Sequence, residues 1–236
     1  MNILLLGYGK MGRAIEEIAL QRGHTIVGKA DNEDEKKSLS LSIKPDVSIE
    51  FSMPESAVAN IKFSIDRGIP TVCGTTGWLK HKDEVEKYCR QHDSTFFYAS
   101  NFSLGVNIFF KINEYLARLM QESTEYKVSI DETHHTQKKD APSGTAITLA
   151  QDIIKNMPHI KEWTDQATSK PETLVINSFR VDLEPGTHTV KYASSIDDIE
   201  ITHTAHSRKG FALGAVMVAE WAKDKKGILS MEDFMK

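Results

Sequence analysis

The chain begins with a short apolar run, Ile3-Leu4-Leu5-Leu6, that stops at Gly7 and opens onto Gly7-Tyr8-Gly9-Lys10-Met11-Gly12. Met11, Ala14, Ile15, Ile18 and Ala19 then recur at helical spacing. A strand with no polar alternation reads as buried on both faces, which is the habit of parallel sheets. A GxGxxG is weak by itself, but between such a strand and such a helix it has the context its chemistry needs. Gly7 permits the tight turn, Gly9 lets a phosphate approach the backbone, and Gly12 lets the helix lie close to the sheet. The helix start then offers free N–H groups to a pyrophosphate. Tyr8, Lys10 and Met11 complete the candidate phosphate loop.

The same rhythm continues downstream. Strands are predicted at 25–30, 47–51, 70–73 and 95–98, with helices after Pro54 and over 79–92, and the polar stretch 31–45 as an exposed connection. Strands alternating with helices imply a doubly wound parallel sheet. After about residue 104 the pattern changes. Helices are predicted over 106–120 and 144–155, and strands over 126–131, 173–182, 187–194 and 197–205, joined by turn-rich stretches. This second region reads as an α+β domain on an open, mixed to mostly antiparallel sheet. The apolar helix 210–224 is expected to return to the first domain. The predicted division is 1–104 plus 208–236 for dinucleotide binding, and 105–207 for substrate binding and oligomerisation. Trp163, Trp221 and most phenylalanines read as core.

Composition narrows the partners. A chain of 236 residues with 40% hydrophobic and 26% charged residues supports one large domain or two small ones. A net charge of -4 argues against nucleic acid and acidic membranes. No apolar stretch approaches a membrane span, and the N-terminal run is too short for a signal sequence, so a cytoplasmic protein is expected. Cys73 and Cys89 lie in unrelated segments, which suits two reduced thiols and neither a disulfide framework nor a zinc site.

Three further stretches carry candidate chemistry. Asp31 lies at the end of the second strand, 19 residues past Gly12. An acid there receives the adenosine ribose hydroxyls and repels a 2′-phosphate, which favours NADH. Lys10 and Lys29 pull the other way, toward NADPH. Gly74, Thr75 and Thr76 end the fourth strand, where ligands bind in such sheets, though an ordinary turn has the same composition. The densest stretch is ETHHTQKKDAPSGTA at 132–146. Ser143, Gly144 and Thr145 begin a helix, as a plain N-cap or as a carboxylate-sized anion site. His134, His135 and Lys138 precede it with up to three positive charges and two groups able to move protons. Adjacent strand histidines point to opposite faces, so a metal site is not expected there. Arg208, just before the last helix, is a candidate carboxylate clamp or a solvated boundary arginine. Together these features read as a nicotinamide-dependent reductase of a small, doubly charged acid.

The stretch 132–146 resembles the pattern E-x-H-H-x-x-K-x-D-x-P-S-G-T-A of 4-hydroxy-tetrahydrodipicolinate (dihydrodipicolinate) reductases. The resemblance extends to 7–12, 74–77, 99–103, 203–208 and 227–234. It implies NAD(P)H-dependent reduction of a cyclic dicarboxylate in the diaminopimelate route to lysine. It also implies His134 and Lys138 as the proton-handling pair and His135, Gly144 and Thr145 as substrate contacts. The implied cofactor contacts are 7–12, Asp31, 74–76, Ala99, Ser100, Asn101 and Phe102, and the implied assembly is a homotetramer built through the second domain's sheet. The segment after Asp31 is shorter than in many such proteins, the glycine loop lacks an extra glycine, and Asn32 stands where some carry arginine. The rival readings are another two-domain NAD(P)-dependent dehydrogenase of small acids and a non-catalytic NADH sensor.

Overall fold

In the computed structural model, residues 1–207 and 209–236 are described, and they form two compact units. The first, Met1–Leu104 with Lys209–Lys236, holds β1 (Asn2–Leu6), α1 (Lys10–Gln21), β2 (Thr25–Ala30), α2 (Glu33–Lys37), β3 (Val47–Glu50), α3 (Pro54–Ile65), β4 (Thr71–Cys73), α4 (Lys82–Gln91) and β5 (Thr95–Tyr98). The second, Gly105–Arg208, holds α5 (Leu104–Leu119, whose first residue belongs to unit one), β6 (Lys127–His134), α6 (Gly144–Asn156), β7 (Glu162–Thr164), β8 (Thr173–Arg180), β9 (Thr187–Ala193) and β10 (Asp198–Thr204). The chain then re-enters the first unit through α7 (Lys209–Ala222), β11 (Gly227–Ser230) and α8 (Met231–Phe234).

The first unit is a six-stranded sheet of order β11-β5-β4-β3-β1-β2, parallel throughout. The opening apolar run explains its layering. Ile3 and Leu5 face one core with Ile15, Val72, Ala215 and Val216. Leu4 and Leu6 face the other with Ala30 and Ile69. Each such side chain, taken fully out of water, contributes about 1.5–3 kcal/mol. Trp78, 1% exposed, anchors a further cluster with Ala57, Ile61 and Phe96. Two elements depart from expectation. Residues 31–45 are not a plain connection: Asn32 accepts a hydrogen bond from Glu35 N at 2.9 Å, capping α2, and Lys36 is buried against Asn60. Strand β11 adds to β5 in a segment with too few residues to show a period.

The second unit has a five-stranded sheet of order β10-β9-β6-β8-β7. β9 and β10 pair antiparallel, whereas β6, β8 and β7 run parallel. The sheet is therefore evenly mixed rather than mostly antiparallel. The cause is α6, which carries the chain across one face between β6 and β8 and so returns it in the same direction. That face buries Val128, Ile130, Leu174, Ile176, Val190 and Tyr192 against Leu149, Ala150 and Ile153 of α6. Trp163 is only partly buried at its edge, and Phe179 is exposed.

Candidate active site

In the first unit the candidate residues gather at the carboxyl ends of β1, β2, β4 and β5. Gly7, at φ +90°, lies so close to the chain after β3 that a Cβ would meet Phe51 O at 2.0 Å. A Cβ on Gly12 would meet Gly7 O at 2.3 Å, whereas one on Gly9 would meet nothing within 4 Å. The first and third glycines are therefore required by the protein's own backbone. The second faces open space, where a phosphate can approach. Gly9 is also the N-cap of α1 and carries no side chain to occupy the first N–H groups. This geometry fits a dinucleotide pyrophosphate.

Asp31 accepts a hydrogen bond from the Tyr8 backbone N–H at 2.6 Å, so the acid and the glycine loop are joined. Lys29 does not offer an unpaired charge beside it. Its Nζ lies 3.0 Å from Glu16 Oε1 and 4.5 Å above the Tyr8 ring, and Tyr8 donates its hydroxyl to Glu16. The hydrogen bond from Tyr8, with Lys29 adding to it, holds the Glu16 carboxyl below its usual range. Glu35 brings a second carboxylate, accepting the Asp31 backbone N–H at 2.8 Å. Lys10 is exposed and Met11 half-buried. Thr75 is buried, and its hydroxyl oxygen accepts from Ser52 N at 2.8 Å; Thr76 is exposed. Ala99 and Phe102 point into the core, with the Phe102 ring 5.3 Å from that of Phe51, so neither side chain is free for a ligand. Ser100 is exposed, and Asn101 Oδ1 accepts from Ser103 N at 2.9 Å.

In the second unit, the buried parity of β6 runs Val128, Ile130, Glu132, His134. The apolar face thus ends in an acid and a histidine. Glu132, fully buried, takes His134 Nδ1 on Oε2 and Arg180 Nη2 on Oε1 at 3.0 Å. Burial pushes the Glu132 carboxyl up, but hydrogen bonds from Arg180 and His134 outweigh it and hold the group below its usual value. Burial pushes His134 down, against the pull of Glu132 and with help from the charges of Lys138 and Arg180. The ring is therefore held toward the neutral form. Its neighbour is His188 on β9, with ring centroids 5.0 Å apart. Burial and the His134 charge push His188 down to about 4.

Lys138 lies on the loop after β6, its Nζ 2.7 Å from an Asp140 carboxylate oxygen. Ser143 caps α6, its hydroxyl oxygen accepting from Ala146 N at 3.2 Å while pairing with His188 Nε2 at 2.9 Å. The N-cap role and the site role therefore coexist. Gly144 is exposed, with nothing within 4 Å of where a Cβ would stand, and its N–H and that of the half-buried Thr145 have no intrahelical acceptor. An anion has room there. His135 lines an open cavity of about 290 Å³ with Gln137, Asp182, Leu183, Pro185 and Ser207. Arg208 lies outside the described residues.

Three groups at this centre had no role assigned from the sequence: Glu132, Arg180 and His188. Strand parity carries the signal for two of them, since Glu132 continues the Val128-Ile130 face and His188 the face of Val190 and Tyr192. Glu132, His134 and His188 place ligand atoms within 4.8 Å of one another, a donor set a metal could use. Here the set is already committed: His134 and Glu132 face each other directly, Ser143 takes His188, and Arg180 supplies the positive charge.

Comparison with known proteins gives the same frame at both ends of the chain. A family model described as "Dihydrodipicolinate reductase, N-terminus" matches residues 1–102, and "Dihydrodipicolinate reductase, C-terminus" matches 105–235. A 4-hydroxy-tetrahydrodipicolinate reductase of Christiangramia forsetii is 52% identical over 235 residues, covering 100% of this chain and 98% of that protein. One from Methanocaldococcus jannaschii is 36% identical, covering 86% of this chain and 75% of that protein. The dipicolinate-bound dihydrodipicolinate reductase from Paenisporosarcina sp. TG-14 shares the fold, with a TM-score of 0.79 at 21% identity over 100% of this chain and 99% of that one. An amine dehydrogenase from Mycobacterium smegmatis shares it more loosely, at TM-score 0.60 and 10% identity over 97% and 94%, so the fold alone does not select a reaction. Two adjoining family matches and a full-length relative at 52% identity do select a family: the chain belongs to the dihydrodipicolinate reductases, a family of NAD(P)H-dependent oxidoreductases.

Proposed function

We propose that this chain reduces 4-hydroxy-tetrahydrodipicolinate to tetrahydrodipicolinate in the diaminopimelate route to lysine. The observation that carries the reading is the meeting, in one unit, of the buried Glu132–His134 pair, the Lys138–Asp140 pair and the open start of α6. Residues 1–104 plus 208–236 bind the dinucleotide, and 105–207 bind the substrate. NADH is preferred, because Asp31 and Glu35 put two carboxylates beside the β2 end while Lys29 is neutralised by Glu16. The protein works in the cytoplasm; among the described residues no helix is long and apolar enough to cross a membrane. It assembles as a homotetramer through the second domain's sheet, where Phe179 of β8 and Val181 just beyond it are exposed.

The division of labour follows from the site. The N–H groups of Gly144 and Thr145 and the Ser143 hydroxyl receive one substrate carboxylate, and His135 and Lys138 flank the other polar edge. The nicotinamide, when bound, would supply the hydride; the substrate gains that hydride and one proton and loses its 4-hydroxyl as water. His134 gives its Nδ1 to Glu132, so Nε2 is the atom left to exchange a proton. A buried, neutral imidazole serves there as acceptor and relay. Lys138 is the proton donor, with Asp140 orienting its ammonium.

The test is an absorbance assay with freshly generated substrate and NADH and NADPH in parallel. Oxidation of either nucleotide that depends on the cyclic dicarboxylate is expected, with NADH the better donor. Binding of NADH without turnover would instead mark a sensor, and turnover of an unrelated acid a different dehydrogenase.

A further inference from the structure

Arg180 ends β8 directly beside His134 in the parallel ladder. Its Nη2 donates to Glu132 Oε1 at 3.0 Å and to the Asp140 backbone carbonyl at 2.7 Å, while Nη1 donates to the Phe179 carbonyl at 2.7 Å. One nitrogen therefore touches both halves of the proton machinery. On one side is the carboxylate that holds His134; on the other is the residue whose side chain holds Lys138. We propose that Arg180 is a positioning residue, which holds the Glu132–His134 pair and the Lys138 loop in a fixed relation from which the proton that accompanies the hydride is delivered. This rests on the reaction proposed above.

The electrostatic consequence has a definite sign. The groups facing His134 are Glu132 on its own strand, Arg180 on β8, Lys138 on the loop and His188 on β9, with His203 on β10 opposite His188. Removing Arg180 deletes a repelling cation and takes one charged donor from the Glu132 carboxylate. The lost repulsion favours the imidazolium, so with Glu132 still ionised His134 titrates at higher pH. At the same time Asp140 loses its anchor, and the Lys138 ammonium is free to wander.

The experiment compares the full-length wild type with Arg180→Gln, Arg180→Lys and Arg180→Ala. Arg180→Gln is expected to lower kcat roughly ten- to hundred-fold, a share of what general acid–base catalysis supplies. The NADH dissociation constant should stay unchanged. The His134 ring resonance, assigned with His134→Asn, should titrate at higher pH, and the corresponding limb of the pH–rate profile should move with it. Arg180→Lys keeps the charge but not the planar fork, so it should fall between the two, and added guanidinium ion should partly restore Arg180→Ala. If Arg180→Gln does not fold, Arg180→Lys and the rescued Arg180→Ala carry the same comparison. A kcat within twofold of wild type, or a loss of kcat with the His134 titration unmoved, would overturn the proposal. The resonance measurement needs no turnover, so a wild-type enzyme inactive on the cyclic dicarboxylate would sink the reaction while leaving the Arg180–His134 linkage separately readable.

Discussion

Gly186 forms the wall against which the His134 ring is set: a Cβ at Gly186 would lie 2.9 Å from His134 Nε2 and 3.1 Å from Cδ2. The residue follows Pro185 in the turn before β9, is buried, and holds φ +151°, which other residues rarely adopt. The turn thus decides where the proton-exchanging nitrogen stands. Gly186→Ala should displace the His134 ring from this position. The expected outcome is a fall in kcat with unchanged NADH affinity, and a stability loss of about 1–3 kcal/mol for overpacking. Steady-state kinetics and a denaturant melt measure the two separately.

The glycine loop offers a matched pair. Gly12→Ala drives a methyl group into Gly7 O and should destabilise the first unit. Gly9→Ala meets no protein atom, so its melting temperature should match wild type while its KM for NADH rises. Equal loss of stability in both variants would show that the space at Gly9 is not kept for a ligand.

His188 sets a pH dependence of stability. Its folded-state pKa, pushed down to about 4 by burial and then by the His134 charge, lies below the ordinary value of 6.5. The unfolded chain therefore binds a proton that the folded chain refuses between these values. Stability is complete above pH 6.5 and declines as pH falls toward 4, by about 1.4 kcal/mol per pH unit from this group. Urea melts of wild type and His188→Gln across that range should show a shallower acid decline in the variant. Parallel curves would refute the assignment.

Asp31 and Glu35 bear on the nucleotide. Asp31→Ser removes the carboxylate nearest the glycine loop while leaving Glu16 to neutralise Lys29. The ratio of kcat/KM for NADPH over NADH should rise on the order of five- to tenfold, the scale of one solvent-exposed charge. Glu35→Gln should shift the ratio the same way by less, because Glu35 also caps local backbone. A ratio unchanged in both variants would mean that neither carboxylate meets the ribose.

Much of the architecture is legible in local patterns. The unalternated run 3–6, the glycines after it and the strand–helix rhythm to residue 98 lead to the parallel sheet, because burial on both faces leaves no room for polar positions. Pairing partners are less legible. The parallel β6–β8 register depends on α6 crossing one face, and β7 and β11 are too short to show a period. The helix α2 escapes because its stability comes from caps and from Lys36 reaching Asn60, 24 residues away, rather than from an apolar stripe.

The candidate site divides in the same way. The residue types between 132 and 146 by themselves determine that a histidine, a lysine and a helix start meet near one another, because all three lie within one strand–loop–helix connection. Only the tertiary structure decides their state. Arg180 and His188 arrive from 46 and 54 positions beyond His134, on β8 and β9. They turn an apparently cationic cluster into a clamped carboxylate, a neutral imidazole and one ammonium. A side chain's charge follows from what surrounds it in a low-dielectric core, and that surrounding is assembled by long-range pairing that no local pattern records.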